Sequence, residues 1–135
     1  MATRDRPLSP HLQVYRFMYT MALSIAHRIT GVALSAGFLV FAWWLTALAI
    51  GPAYYDYVAH LLGTPLGLLV LAGFVLAFWY HFCAGLRHLI FDTGRMLEKP
   101  DARRSAAFVI VGTLVMTLLS FWAIWELAAR NGGAA

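Results

Sequence analysis

The sequence is short of the materials from which water-soluble enzymes are built. Asp, Glu, Lys and Arg together make up 12% of its 135 residues, about half the share usual in soluble domains. Its single cysteine, Cys83, excludes an intrachain disulfide framework and any Cys-rich zinc or iron–sulfur site. The formal charge of +4 comes with no dense Lys/Arg run and no basic stripe interleaved with aromatics, which argues against nucleic acid as a partner. There is no Ser/His/Asp set, no carboxylate pair and no glycine-rich phosphate loop, so independent catalysis by this chain is not expected. What the chain has in excess is apolar surface. Hydrophobic residues reach 61% and mean hydropathy is +0.72, which excludes disorder and points to an integral membrane protein.

Three uncharged stretches, 29–50, 66–86 and 106–125, each meet the roughly 20 apolar residues that a bilayer crossing needs. In lipid every backbone polar group must pair within its own segment, so these stretches predict helices. The expected fold is a single all-α membrane domain over 1–135, with helices at about 22–50, 65–92 and 104–128. Gly51-Pro52 ends the first helix, the residues after it form a loop, and Pro65 suits the first turn of the second helix. The polar start of the chain lacks the pattern of a signal peptide, so the first helix is expected to be retained.

The basic residues are unevenly distributed. Arg4, Arg6, Arg16 and Arg28 precede or open the first helix, and Arg87, Arg95, Lys99, Arg103 and Arg104 lie between the second and third. The positive-inside rule then predicts a cytoplasmic N-terminus and a periplasmic C-terminus. That orientation brings two polar clusters to one depth, near the inner leaflet. One is Ser24, His27 and Arg28, whose i, i+3, i+4 spacing gives them one helix face; the other is His81, Arg87, His88 and Asp92.

Ionisable groups inside a membrane are costly and mark candidate sites. For Ser24, His27 and Arg28 the plainer reading is a snorkelling arginine with two helix-entry residues. His81 stands deep in an apolar run, with Gly73, Ala77 and Gly85 at four-residue steps along its own helix. Such a stripe suits close helix packing with His81 as interhelical glue, and equally a groove for a flat macrocycle with His81 as an axial iron ligand. His88 lies about 10 Å further along the axis at about 1.5 Å per residue. That offset would let haem propionates meet Arg87, His88, His27 or Arg28 through charge-assisted hydrogen bonds. No other histidine on the first or third helix is expected at the depth of His81, so bis-His ligation would take its second ligand from another chain. Cys83 reads as a small apolar filler, and the tryptophans as interfacial or packing residues.

Two blocks carry a resemblance. Arg6-Pro7-Leu8-Ser9-Pro10-His11-Leu12, followed by Ser24-Ile25-Ala26-His27-Arg28-Ile29-Thr30-Gly31, resembles the N-terminal signature of the cytochrome b556 subunits of succinate dehydrogenase. His81-Phe82-Cys83-Ala84-Gly85-Leu86-Arg87-His88-Leu89-Ile90-Phe91-Asp92-Thr93-Gly94 is similar to that family's second signature. With three helices in the same order, the resemblance covers nearly the whole chain. It implies one of the two membrane anchors of complex II, paired with a second small three-helix anchor and holding a flavoprotein and an iron–sulfur subunit. FAD and the iron–sulfur clusters would lie only in those partners, and electrons from succinate would pass to ubiquinone near the inner surface. By the same resemblance His81 is the ligand of a haem b shared with the partner anchor. His27, Arg28 and His88 fall in the haem-propionate region, and Ser24, Arg28 and Phe17 at the ubiquinone site. The short N-terminus favours a bacterial inner membrane over a mitochondrial one. Three alternatives stay open: an anchor of a fumarate reductase, a purely structural haem-free anchor, and, ranked last, a small transporter.

Overall fold

The computed structural model describes residues 18–132, and apart from short joints these form four helices, α1 (Tyr19–Ile50), α2 (Pro52–Gly63), α3 (Pro65–Asp92) and α4 (Lys99–Gly132). α1, α3 and α4 are each long and apolar enough to cross a membrane. α2 corrects the expectation of a loop after Gly51. Gly51 does end α1, at φ 141°, a value suited to glycine. Pro52, however, is also an admissible first residue for a new helix, because its missing N–H would have had no partner there. Tyr55, Val58 and Leu62 then recur on one inward face, with Val58 fully buried, while Tyr54, Asp56, Tyr57 and His60 face outward.

Tight joints fix the order of the helices. The Thr64 hydroxyl caps α3 by accepting from the Gly67 N–H at 3.2 Å, and Pro65 occupies the first turn. A Cβ on Gly67 would lie 2.7 Å from the Leu61 carbonyl oxygen and closer still to that of Leu62. Glycine is therefore what lets the start of α3 fold back onto the end of α2. α4 begins at Lys99, ahead of the expected start near 104. Pro100 is tolerated in a first turn, and Asp101 sits favourably near the positive end of the helix dipole.

α3 is the central helix, packed on α1 along one side and α4 along the other. The interior between these helices is made of small side chains. Ala47, Ala77, Ala84 and Ala106 are buried, while Phe38, Leu39, Phe108, Leu118 and many other large apolar residues are exposed. This is the reverse of a water-soluble core. Inside a bilayer apolar burial gives little drive, so small residues let backbones approach and polar side chains bond across helices. Several such bonds tie the bundle, among them Tyr80 Oη donating to the Leu23 carbonyl at 2.8 Å, Trp79 Nε1 to Ser120 Oγ at 2.8 Å, and Trp43 Nε1 to Tyr54 Oη at 3.0 Å. Trp79 is thus an interhelical clamp.

Candidate functional site

α1 and α3 meet in a column of three imidazoles. The His27 ring lies on the His81 ring with centroids 4.1 Å apart and planes inclined by 13°. On its other side the His88 ring is 5.0 Å away, tilted by 44°. The expectation that no histidine of the first helix shares the depth of His81 is corrected: His27 is level with it. The reason is geometric, since α1 and α3 cross where Gly31 leaves room for the His81 ring. A Cβ on Gly31 would lie 3.1 Å from His81 Cε1.

The stripe on the helix of His81 contributes differently from what its spacing suggests. Ala77 is buried, but a Cβ on Gly73 would meet nothing within 4 Å, and one on Gly85 would lie 4.0 Å from His27 Nε2. The close approach to His81 therefore comes from α1, through Gly31. Tyr80 adds a second tie at this crossing through its bond to the Leu23 carbonyl, one residue before Ser24.

Hydrogen bonding settles which nitrogen of His81 carries a proton. Nδ1 lies 3.1 Å from the His27 carbonyl oxygen, which can only accept. Nδ1 is therefore the donor, and in the neutral ring Nε2 keeps its lone pair. His27 Nε2, by contrast, is buried without a hydrogen-bond partner. An orphaned buried nitrogen of this kind is costly, and here it marks a point where an external group is wanted.

These features fit a haem better than a bare ion. Among the described residues no group of three or more His, Cys, Asp or Glu side chains could hold a metal ion. His27 and His81 stack face to face, with His88 tilted beside them, instead of converging their nitrogens. Face-to-face stacking equally prevents His27 and His81 from being a pair of opposed axial ligands. One imidazole with its Nδ1 anchored to a carbonyl and its Nε2 bare is the usual preparation of a ligating histidine.

The remaining expected residues divide. Ser24 is half-buried and Arg28 exposed, one helical turn apart on α1. Phe17 lies outside the described residues. Arg87 is a correction, because it turns away from the histidines. Its Nε donates to Ser105 Oγ at 2.9 Å and its Nη2 to the Ala102 carbonyl at 3.3 Å, with its guanidinium carbon 4.4 Å from the centre of the Phe91 ring. It therefore fastens α3 to α4 and leaves the propionate set. Asp92 is exposed, and the ion pairs among the described residues are Arg104–Asp101 and Arg130–Glu126. Sequence reasoning had given no role to Thr30, Gly31 or Ser105. The first two stand three and four residues after His27, a spacing that could have marked them as its helix-face neighbours.

The chain's likenesses agree with this geometry. The family model described as "Succinate dehydrogenase/Fumarate reductase transmembrane subunit" matches residues 2–120. A succinate dehydrogenase cytochrome b556 subunit from Paracoccus denitrificans is 43% identical over 116 residues, covering 86% of this chain and 89% of that protein. The Rickettsia felis subunit of the same name is 32% identical, covering 84% of this chain and 89% of its own. The human mitochondrial cytochrome b560 subunit is 38% identical, over 84% of this chain and 69% of its own.

Proposed function

The chain belongs to the succinate dehydrogenase/fumarate reductase transmembrane-subunit family, and from that premise we propose that it anchors a succinate:ubiquinone oxidoreductase in a bacterial inner membrane, supplying one ligand to a haem b and part of a ubiquinone site. It performs no catalysis alone. The observation that carries this reading is the His81–His27 contact. A carbonyl oxygen claims the proton of His81 Nδ1 while Nε2 is left as a lone-pair donor, beside a buried His27 Nε2 that lacks a partner.

In this reading His81 would hold the iron and a second anchor subunit would supply another ligand. His27 and His88 stand beside His81, where imidazole N–H groups can meet propionate oxygens, and Arg28 adds a fixed cation at the same end of α1. When bound, the haem supplies a one-electron store next to the quinone. The Ser24 hydroxyl bonds a quinone carbonyl oxygen. Arg28 stabilises the negative charge that grows on the quinone oxygens during reduction, and it does so most strongly where water is scarce. FAD and iron–sulfur chemistry belong to the flavoprotein and iron–sulfur partners. The excess of basic residues before α1 and between α3 and α4 supports a cytoplasmic face for this end of the bundle. The similarity to the Paracoccus subunit supports a bacterial membrane.

The family description covers both directions of the succinate/fumarate couple, whereas the relatives cited above are named as succinate dehydrogenases. The test is a dithionite-reduced minus oxidised visible spectrum of the complex purified through a tag on this chain, with subunit content read from the same sample. A low-spin b-type signal at about one haem per copy is expected from a single axial histidine in this chain. A complete complex that reduces quinone without that signal would retire the haem assignment and leave a quinone-site anchor.

A further inference from the structure

Thr30 takes no part in the reading given above, yet its hydroxyl lies within hydrogen-bond distance of the His81 ring, on the edge that the stacked His27 ring leaves free. Its Oγ1 lies 2.9 Å from the Ala26 carbonyl oxygen, 3.0 Å from the His27 carbonyl oxygen and 3.3 Å from His81 Nδ1. A hydroxyl has one proton and two lone pairs. Both carbonyls can only accept, so the Thr30 proton is committed to the helix backbone and its free lone pair faces His81. The Nδ1–H is therefore shared between two acceptors, the His27 carbonyl oxygen and Thr30 Oγ1.

We infer that Thr30 is a positioning residue for the haem ligand: its hydroxyl oxygen accepts from His81 Nδ1–H, which fixes the ring orientation and raises the electron density at Nε2. The inference rests on the assignment of His81 as an axial ligand and deepens it. Electron density pushed toward Nε2 favours the ferric over the ferrous state, so the hydroxyl holds the haem potential down. Threonine suits the position for a second reason. A β-branched side chain on a helix has few χ1 choices, so the oxygen is already aimed before the ligand binds. Gly31, the next residue, leaves the ring free to approach.

The experiment is a redox titration of the haem, followed by visible absorption, in the purified whole complex carrying wild-type chain, Thr30→Val, Thr30→Ala or Thr30→Ser. Valine keeps the branched shape and removes the acceptor; serine restores it. Thr30→Val is expected to raise the midpoint potential, shifting the ferrous/ferric ratio at fixed ambient potential by about three- to tenfold, where tenfold is about 59 mV for one electron. Thr30→Ser is expected to stay near wild type, which a role in packing alone would not produce. Loss of haem from the valine and alanine complexes, with full haem in the serine complex, supports the same requirement for the hydroxyl. Haem retained at unchanged potential in the valine or alanine complex overturns the role of Thr30 and leaves His81 as ligand. Wild-type complex without haem overturns the ligand assignment itself, and this inference with it.

Discussion

The two seams of the bundle use the same kinds of residue to opposite effect. Along α3–α4 the polar groups answer one another. Arg87 bonds Ser105 and the Ala102 carbonyl, Trp79 bonds Ser120, and Ser120 in turn donates to the Met116 carbonyl at 2.9 Å. Apart from the Thr117 hydroxyl, which is buried without a partner, this seam is closed on itself. Along α1–α3 the arrangement is left open. His27 Nε2 has no partner within the described residues, Arg28 is exposed, and the His27 and His81 rings lie face to face. A membrane interior makes unpaired polar groups expensive, so polarity by itself does not distinguish a clamp from a site. What distinguishes them here is the kind of group left unpaired: an imidazole nitrogen near an exposed cation on α1, against a lone hydroxyl on α4.

The sharpest way to break this contrast is to remove the imidazole whose Nδ1 is anchored to a carbonyl. If His81 ligates the haem as proposed, His81→Leu in the assembled complex is expected to reduce the b-type difference signal from about one haem per copy to a small remainder, because losing a ligating imidazole removes the low-spin signature. Removing the exposed cation comes next. Arg28→Ala is expected to lower quinone reduction by about 10²-fold, the scale for deleting one charge-stabilising donor, while succinate oxidation by a soluble dye acceptor is unchanged. Equal loss of both activities would show that Arg28 supports assembly instead of quinone chemistry. Ser24→Ala, which removes a neutral hydrogen bond, is expected to cost about tenfold in the same assay.

On the closed seam the expected response is structural. Arg87→Met leaves Ser105 Oγ without its donor and the Phe91 ring without its cation. A loss of about 1–3 kcal/mol in stability is expected, read as earlier thermal dissociation of the complex in detergent, with haem spectrum and quinone affinity retained. Arg87→Lys is expected to rescue little, because an ammonium cannot reproduce the planar fork that reaches two acceptors on α4.

How far the sequence disclosed these seams depended on the physics involved. The three long helices were legible because backbone pairing in lipid leaves one solution for each apolar run. α2 was missed because Gly51-Pro52 was taken only as a stop, when proline is also a helix start and the inward face of Tyr55, Val58 and Leu62 was available to be seen. His81, His27 and His88 were legible as intramembrane polar residues, but their stacking was not, since it depends on where two helices cross. Arg87 misled for the same reason. Helical spacing gives the face a residue occupies on its own helix and cannot say which neighbour covers that face, so Arg87 was grouped with His88 although it serves α4.

A matched pair of small changes tests the comparison with the least disturbance. Gly31 and Gly112 are equivalent in packing, each holding a side chain of α3 against a neighbouring helix. A Cβ on Gly31 would lie 3.1 Å from His81 Cε1, and one on Gly112 would lie 3.3 Å from Cys83 Sγ. In either case the neighbour must give by a few tenths of an ångström, so the stability costs of Gly31→Ala and Gly112→Ala are expected to be small and alike. Their effects on the haem are not. Displacing the His81 ring alters its bonds to the His27 carbonyl and to Thr30, so Gly31→Ala is expected to shift the α-band or the midpoint potential measurably. Gly112→Ala moves only a thiol on the far side of α3 and is expected to leave both at wild-type values. Identical spectra for the two variants would mean that the α1–α3 seam is as purely structural as its neighbour, and the open nitrogen of His27 would then need another explanation.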